Sequence, residues 1–503
     1  MALGETSDPV FDLVIVGGGI NGCGIARDAA GRGLSVALIE MNDLASGTSQ
    51  ASTKLIHGGL RYLEHWQFSL VREALVEREV LLRIAPHLVW PMRFVLPVLP
   101  GMRPAWMLRA GLFLYDHLDI HRSLPGTVTL DLKSDAAGRP LRPGLTRGFE
   151  YSDCAVDDAR LVVLNARDAA ARGAVVRTRT ILLSAVPQED VWRVEVARPD
   201  GAREEIRCRA LINAAGPWAG DIANTVSGPD HTTRIRLRLD QGSHIVVRRL
   251  FEGDRSYIFQ NGDGRIVFAI PYQGEFTLIG TTDHEFSGDP TQAAASEAEV
   301  DYLIAAANLY FTKPIGRADV VWSYAGVRAL IEGEGSAASA TREYRLEKIG
   351  DPPLLHVFGG KITAYRQLAE KAMALLAPHF PAIAAHGAWT AHEPLPGGKL
   401  GDGGITALVA DLAARHPWLD RALLSRWCLA YGADTIALLE GASSTADLGR
   451  SFGAGLFARE VDWLVRHEWA MSADDILWRR SKLGLRMNAE ERDGLIKYLA
   501  GRA

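Results

Sequence analysis

The apolar positions near the start of the chain form short continuous runs instead of alternating with polar ones. The runs at residues 13–16 and 34–39 are rich in branched side chains and predict two buried parallel strands. The segment between them, residues 22–33, is rich in Gly and Ala and predicts a closely packed helix. The chain is therefore expected to begin with a strand, a helix and a second parallel strand.

The hydrophobic pattern predicts further elements along the rest of the chain. Residues 209–220 are typical of a buried strand that ends in a Gly-Pro turn, and residues 265–283 of a β-hairpin or meander. Residues 354–376 predict a strand, a Gly-Gly turn and a helix. Residues 391–404 are rich in Pro and Gly and predict a linker, and the periodic apolar positions in residues 405–503 predict a helical domain.

The turn after the first strand has the spacing Gly17-x-Gly19-x-x-Gly22. Gly17 permits a tight turn, Gly19 lets a pyrophosphate approach the backbone, and Gly22 lets the helix pack against the strand. The helix N-terminus offers N–H donors to phosphates. Glu40 ends the second strand, where a carboxylate can accept hydrogen bonds from ribose hydroxyls. The motif predicts an adenine dinucleotide site, and a tight turn in an ordinary strand–helix–strand unit is the alternative.

The identity of the dinucleotide depends on whether a second glycine-rich motif is present. The nearest candidate is GEGSAA at residues 333–338, but Glu332 and Glu334 would repel a pyrophosphate and no clear helical pattern follows. We interpret it as a loop. The sequence therefore predicts a single dinucleotide, with FAD favoured, and an electron acceptor that is not a nicotinamide.

Composition narrows the class of protein. The 503 residues allow two or three domains, and the net charge of −5 with scattered basic residues does not indicate a nucleic-acid partner. The four cysteines form no Cys-x-x-Cys pair, so we expect no metal site, no disulfide framework and a reducing cytosolic setting.

Two segments are candidates for contact with a membrane. Residues 372–392 lack Asp, Glu, Lys and Arg but contain prolines and many alanines, and are a poor membrane span. Residues 87–115 mix apolar residues with arginines, which is compatible with a membrane interface or with the core and rim of a substrate domain.

Several stretches resemble one known family. They are GGGINGCGIARDAAGRGLSVALIE, STKLIHGGLRYLEH, GFEYSDCAVDDARLV, NAAGPWA, GSHIVV, GTTDHEF and VFGGKITAYRQLAEKA. Together with the helical tail, they resemble the FAD-dependent glycerol-3-phosphate dehydrogenases of the aerobic, quinone-linked bacterial type. The resemblance spans nearly the whole chain.

The resemblance implies an α/β fold of the glycine-oxidase-like class. A discontinuous Rossmann-like FAD domain would lie mainly in residues 10–75, 150–240 and 325–390. An antiparallel-sheet substrate domain would lie mainly in residues 76–150 and 241–325. Both belong to an oxidoreductase region over residues 1–390, which the linker joins to the helical domain.

The resemblance also implies an activity. The expected reaction is oxidation of sn-glycerol 3-phosphate to dihydroxyacetone phosphate by hydride transfer to noncovalent FAD, with electrons passed to ubiquinone. The expected location is cytoplasmic, peripheral on the inner face of the cell membrane. A homodimer is compatible with the sequence.

The predicted cofactor contacts come from five segments, combining the glycine motif with the resemblance. They are Gly17, Gly19, Ile20, Asn21, Gly22, Glu40, Met41, Thr48, Ser49, Ser52, Thr53, Lys54, Leu55, Gly58, Ala214, Ala215, Gly216, Trp218, Gly360, Lys361, Ile362 and Thr363.

Five residues are predicted at the substrate. Arg61 and Tyr62 supply a fork of donors and a hydroxyl that suit a phosphate dianion. Arg328 lies among apolar residues and needs an anionic partner, either a structural carboxylate or the substrate phosphate; we favour the phosphate, which Arg328 would bind together with Arg61. Lys361 opens a helix and can stabilise negative charge on the phosphate or the reduced flavin. Asp283 either orients a histidine, binds a substrate hydroxyl or caps a turn.

Oxidation of the substrate carbinol also needs a base for its hydroxyl proton. His57 and His244 are the candidates, because the ordinary pKa of histidine lies near working pH. Each of them can equally be a structural hydrogen-bond donor. With Arg328 and Lys361 they complete the predicted catalytic set.

Three rival functions use the same motifs. A glycerol-3-phosphate oxidase would return electrons to oxygen. An amino-acid oxidase or deaminase of the same fold would place a substrate carboxylate at the arginines. A non-catalytic flavin-binding protein would need neither the arginines nor the histidines.

Overall fold

The computed structural model describes residues 9–99, 103–119, 122–226, 228, 231–332 and 344–502, with the side chains of Arg61 and His65 excepted. The GEGSAA segment at residues 333–338 lies outside the described residues.

The described residues contain strands in two sheets. In chain order they are β1 (Val10–Val16), β2 (Val36–Ile39), β3 (Leu55–Ile56), β4 (Val89–Pro97), β5 (Val128–Asp131), β6 (Arg147–Val156), β7 (Val175–Arg177), β8 (Ile181–Gln188), β9 (Val191–Ala197), β10 (Arg203–Asn213), β11 (Leu237–Arg248), β12 (Ser256–Gln260), β13 (Ile266–Tyr272), β14 (Phe276–Gly280), β15 (His284–Glu285), β16 (Val320–Ile331), β17 (Arg345–Ile349) and β18 (Leu354–Phe358).

Helices pack against the sheets and form the C-terminal part of the chain. They are α1 (Ile20–Gly31), α2 (Phe68–Ile84), α3 (Ala105–His117), α4 (Asp158–Ala171), α5 (Ala219–Thr225), α6 (Glu297–Tyr310), α7 (Tyr365–Leu376), α8 (Pro381–His386), α9 (Gly404–Arg415), α10 (Arg421–Tyr431), α11 (Thr435–Leu439), α12 (Ala458–Glu468) and α13 (Ala489–Ala500), with a π-helical segment at Asp475–Arg480.

The first sheet has a parallel centre. β1 pairs in parallel with β10 on one side and β2 on the other, and β18 and β7 extend the parallel part outward. Helices α1, α4 and α7 cover one face through a continuous apolar core that includes Ile25, Val162 and Leu368. In the register of β1 and β10, Val16 lies opposite Asn213. The turns that follow these two strands therefore lie side by side at the carboxyl edge of the sheet, where open α/β sheets bind ligands.

The second sheet is largely antiparallel. β11 pairs with β14 and β16, and the sheet continues through β13, β12, β4 and β6. Successive side chains of β11 enter different cores: Ile245 packs in the cluster with α6, and Val246 in the cluster with α3. This alternation follows from the two-residue period of a strand.

The C-terminal helices enclose a separate apolar core around Trp427, Leu464 and Leu477. The predicted α/β fold with an antiparallel second sheet and a helical C-terminal domain is thus confirmed. The exact domain bounds stay a prediction; β3, for example, pairs with β6 in the second sheet. Among the described helices, none combines the length and the apolar character needed to cross a bilayer.

Candidate active site

A cavity of about 440 Å³ lies between the carboxyl edge of the first sheet and the inner face of the second. Most of the predicted site residues line it. They are Gly17, Gly19, Ile20, Asn21, Glu40, Met41, Thr48, Ser49, Ser52, Thr53, Leu55, His57, Tyr62, Ala214, Ala215, Gly216, Trp218, His244, Asp283, Arg328, Gly360, Lys361, Ile362 and Thr363. Residues from both sheets and from distant parts of the chain thus meet in one space.

Three of the predicted cofactor residues do not line the cavity. Gly22 packs against the backbone, Gly58 donates its N–H to Tyr115 Oη at 2.8 Å, and the Lys54 ammonium contacts Asp158 at 2.7 Å. Each supports the cavity wall from behind. The side chain of Arg61 lies outside the described part of the structure, so its predicted place at the substrate stays a prediction.

The glycine turn is shaped by close backbone contacts. Gly17 has a φ of +113°, and a Cβ there would meet the carbonyl oxygen of Ala214 at 2.5 Å. A Cβ at Gly22 would meet the carbonyl oxygen of Gly17 at 1.9 Å. Larger residues would therefore separate α1 from the strand and block the approach of a phosphate to the turn.

Glu40 ties the end of β2 to this turn. Its carboxylate accepts hydrogen bonds from the amides of Gly18 at 2.6 Å and Asn42 at 2.8 Å. Burial raises the pKa of Glu40, and these two hydrogen bonds oppose the rise. Each carboxylate oxygen can accept a further hydrogen bond, so the group remains able to bind ribose hydroxyls.

The loop between β2 and β3 crosses from one sheet to the other. Ser49 Oγ accepts from the amide of Ile20 at 3.0 Å, and Thr48 Oγ1 donates to the carbonyl of Val327. Ser52 Oγ donates to Asp158 at 2.8 Å, beside the Lys54 ammonium. The loop is therefore fixed against α1, β16 and α4, and its residues Ser49, Ser52 and Thr53 line the cavity.

His244 lies on β11 and is only 2% exposed. Its Nε2 is 3.0 Å from Thr53 Oγ1, and its ring stacks on Tyr324 at 4.8 Å. Burial, together with the positive charges of Lys54 and Arg328, lowers the pKa of His244 well below its usual value. The imidazole is therefore neutral at working pH. His57, in contrast, is half-buried and contacts Phe268 edge-on with 6.4 Å between ring centres.

Arg328 forms an ion-pair cluster with two carboxylates. Its Nη2 is 2.9 Å from Asp283 and 3.3 Å from Asp240. Burial and the neighbouring Asp283 raise the pKa of Asp240 to about 7, although Arg328 opposes the rise. The two carboxyl groups lie against the Arg328 guanidinium, and Arg238 is a second cation 3.7 Å from Asp240; the Asp240 carboxyl titrates near neutral pH.

Lys361 and Tyr62 form a second polar group. The Lys361 ammonium lies 3.8 Å from the centre of the Tyr62 ring, and both residues line the cavity. No carboxylate forms an ion pair with Lys361 among the described residues. Its charge is thus available to an anion that enters the cavity.

Some cavity residues were not predicted. Thr180 and Leu182 lie beside the end of β2, while Tyr151, Arg265 and Phe268 come from the second sheet. Arg265 is the first residue of the predicted β-hairpin or meander at residues 265–283, but no local motif marks any of the five as a cavity residue. Only the tertiary fold brings these residues to the cavity.

The cavity fits an adenine dinucleotide that carries a flavin. The glycine turn leaves room where a Cβ would clash, and Glu40 lies at the adjacent strand end. Asn21 lies in the first turn of α1, and its buried Oδ1 has no hydrogen-bond partner among the described residues. The cavity is also lined by polar side chains of the second sheet, among them His244 and Arg328.

This fold and this site define a flavin-dependent oxidoreductase. A family model described as FAD dependent oxidoreductase matches residues 12–366, and one described as the C-terminal domain of alpha-glycerophosphate oxidase matches residues 388–496. The chain belongs to the family of FAD-dependent glycerol-3-phosphate dehydrogenases. The cofactor of this family, FAD, is therefore the cofactor of this chain, as the sequence predicts.

Individual proteins show how close the similarity is. The chain is 54% identical over 495 residues to glycerol-3-phosphate dehydrogenase of Pseudomonas aeruginosa, covering 97% of this chain and 95% of the relative. It is 49% identical over 491 residues to D-erythritol 1-phosphate dehydrogenase of Brucella abortus, covering 97% of each. The crystal structure of glycerol-3-phosphate dehydrogenase from Bacillus halodurans with FAD superposes with a TM-score of 0.80 at 27% identity, covering 99% of this chain and 92% of that one.

Proposed function

We propose that the chain oxidises the C2 hydroxyl of sn-glycerol 3-phosphate to the ketone of dihydroxyacetone phosphate and passes the electrons to a quinone. The observation that carries the proposal is that one cavity holds both the dinucleotide turn and a polar end with two histidines, Lys361 and Arg328. The similarity to glycerol-3-phosphate dehydrogenases over nearly the whole chain supports it.

The reaction removes two hydrogens from the carbinol, one as a hydride that carries two electrons and one as a proton. Bound FAD supplies the two-electron acceptor, which takes the C2 hydrogen as hydride. The chain must hold C2 in place, exclude water and accept the hydroxyl proton.

The phosphate fits the end of the cavity near Lys361 and Tyr62. There the Lys361 ammonium, which has no ion-pair partner among the described residues, lies against the Tyr62 ring. Arg61 is adjacent to Tyr62 in the sequence. The Arg328 guanidinium already pairs with Asp283 and Asp240, so these two carboxyl groups would repel a phosphate dianion bound beside it. We therefore assign phosphate binding chiefly to Lys361, Tyr62 and Arg61, and assign Arg328 to the C2 oxygen.

Of the two histidines, His57 is the better candidate for the base. A base must hold a proton after the reaction, and Lys54 and Arg328 oppose a positive charge on buried His244. His57 lines the same cavity, is half-buried and can exchange its proton with solvent. We assign His57 to proton removal and His244, with Thr53, to holding the substrate and the flavin edge in position.

D-Erythritol 1-phosphate is the second candidate substrate. The relative that carries its name is nearly as similar to this chain as the glycerol-3-phosphate dehydrogenases are. Both compounds have a phosphate ester next to a secondary alcohol, so the same phosphate site and the same base would serve both.

Membrane contact is part of the proposal because the acceptor is a quinone. Helix α3 buries Leu108 and Leu112 but exposes Trp106 (73%) and Phe113 (55%) on its outer face. An amphipathic helix with exposed aromatic residues suits a position in the lipid interface. This helix lies within residues 87–115, for which the sequence left membrane and core roles open.

An anaerobic titration tests the function. Protein with noncovalent FAD should lose its flavin absorbance when glycerol 3-phosphate is added, and free glycerol at the same concentration should have little effect. D-Erythritol 1-phosphate, titrated in parallel, decides between the two substrates. Turnover should then be faster with a soluble quinone than with oxygen, and absent with NAD. If no polyol phosphate reduces the flavin, the proposal is wrong.

A further inference from the structure

A row of stacked rings leads from the cavity to the C-terminal helical domain. The His244 ring stacks on Tyr324 at 4.8 Å with 11° between planes, and Tyr324 contacts Trp322 at 4.8 Å. Trp322 stacks on Trp478 at 4.6 Å with 21° between planes. The first three rings lie on β11 and β16, and Trp478 lies in the π-helical segment of the helical domain. The proposed mechanism uses neither tryptophan.

Ion pairs and hydrogen bonds fix the π-helical segment that carries Trp478. The next residue but one, Arg480, is buried and contacts Asp43 through two hydrogen bonds of 2.8 Å. It also donates to the carbonyl of Glu468 at 2.6 Å. Asp475 in the same segment pairs with Arg179 at 2.5 Å. The segment is thus fixed against the loop that follows Glu40, which gives Trp478 a defined position relative to the FAD turn.

His244 depends on packing for its orientation. Only its Nε2 has a hydrogen-bond partner among the described residues, namely Thr53, and its buried Nδ1 has none. On the strand opposite, a Cβ at Gly280 would meet His244 Cδ2 at 2.0 Å, so the ring is in close contact there. Tyr324 supplies the flat surface on which the ring lies, and its hydroxyl donates to the carbonyl of Ser52 at 2.9 Å. A shift of Tyr324 would therefore move both His244 and the loop that carries Thr53.

We propose that Trp478 is a positioning residue of the active site: the helical domain fixes His244 and the Ser52–Thr53 loop through Trp322 and Tyr324. Without the indole, Trp322 would lose its stacking contact with Trp478, and Tyr324 would gain freedom to tilt away from His244. The consequence for catalysis rests on the proposed function, whereas the consequence for local order does not.

The test uses the full-length protein with FAD. Trp478→Ala should lower the limiting rate of anaerobic flavin reduction by about threefold to tenfold, the size expected for one aromatic pair, with the FAD content unchanged. Trp478→Phe should restore most of the rate because it keeps a flat ring. Trp463→Ala is the matched control, since Trp463 is also partly buried at the core of the helical domain but contacts His467 and Arg167.

Hydrogen exchange provides a readout that does not require turnover. Amides of β11 and β16 should exchange faster in Trp478→Ala than in the parent and in Trp463→Ala, while those of β8 and β9 stay unchanged. If Trp478→Ala does not fold, Trp478→Leu replaces it, because leucine keeps the apolar bulk without a flat face. Leucine should then give slower flavin reduction and faster exchange of the β11 and β16 amides than phenylalanine does.

The outcomes separate the two proposals. Parental reduction rates and parental exchange in Trp478→Ala, or equal changes in Trp463→Ala, would overturn the positioning role. If glycerol 3-phosphate and D-erythritol 1-phosphate both fail to reduce the parent flavin, the proposed function is wrong, and the exchange of β11 and β16 still decides the role of Trp478.

Discussion

Replacing Lys361 by Met should separate phosphate recognition from the chemistry of oxidation. Lys361 precedes α7, and its ammonium lies 3.8 Å from the centre of the Tyr62 ring. Because no carboxylate pairs with it among the described residues, the substitution leaves no buried charge without a partner. Methionine keeps most of the side-chain volume, so the fold loses only the cation–π contact, worth about 0.5–1 kcal/mol where solvent is present.

The expected loss of activity is larger than the loss of stability. A hydrogen bond to a charged group contributes about 1.5–3 kcal/mol, which corresponds to a fall in kcat/KM of roughly ten- to a hundredfold or somewhat more. Part of the fall should appear in kcat, since the phosphate contact also holds C2 in place. Free glycerol has no phosphate, so its already low kcat/KM should change by less than about twofold.

The assay is kcat/KM for glycerol 3-phosphate and for glycerol, with FAD content measured for each variant. Lys371→Met is the matched control, because Lys371 lies in α7, the helix that Lys361 precedes, contacts Glu73 at 3.7 Å and does not line the cavity. It should behave as the parent. If Lys361→Met loses activity on both substrates in equal proportion, Lys361 does not read the phosphate.

Three further predictions follow from the site. His57→Gln should slow flavin reduction about a hundred- to ten-thousandfold with FAD retained; a rapid-mixing rate equal to the parent's would exclude His57 as the base. The pKa of Asp240 is raised to about 7, so its carboxyl is neutral below that pH and charged above it. The Kd of glycerol 3-phosphate should therefore rise as the pH increases through about 7, and Asp240→Asn should flatten that profile in a flavin-absorbance titration. Gly22→Ala places a methyl group at 1.9 Å from the Gly17 carbonyl, so the purified variant should contain little FAD by absorbance.

The dinucleotide turn could be predicted from sequence because its physics is local. Gly17, Gly22 and Glu40 lie within one strand–helix–strand unit, and each contact among them follows from strand and helix geometry. Arg328 was singled out by its apolar setting and His244 by the need for a base, and both line the same cavity although they are far from the turn in sequence.

Pairings between distant side chains could not be predicted in this way. Lys54 was expected at the cofactor, but its ammonium contacts Asp158, more than a hundred residues away, and forms part of the support under the loop. Arg328 was expected to bind an anion, preferably the substrate phosphate, and among the described residues its guanidinium lies against two carboxylates, those of Asp283 and Asp240. Trp478 carries no motif at all; its contact with Trp322 arises only because two separate cores meet there.

The distribution of charge in the cavity constrains how a polyol phosphate can bind. In the group formed by Lys361 and Tyr62, the Lys361 ammonium has no carboxylate partner among the described residues. In the other group, Asp283 and Asp240 offset the charge of Arg328. The proposed phosphate position is therefore at Lys361, while the Arg328 guanidinium is suited to a neutral or partly ionised oxygen.

The separate positions of these charged groups also constrain the length of the substrate. If the phosphate is fixed at Lys361 and the proton is removed near His57, the site selects a fixed separation between a phosphate ester and a secondary alcohol. Glycerol 3-phosphate and D-erythritol 1-phosphate share that separation, and they differ only in the part of the molecule beyond the reacting carbon. Discrimination between them must then come from side chains that line the cavity outside the phosphate and hydride-transfer positions. Tyr151, Phe268 and Arg265, which the second sheet contributes to the cavity, have suitable size and polarity for that role.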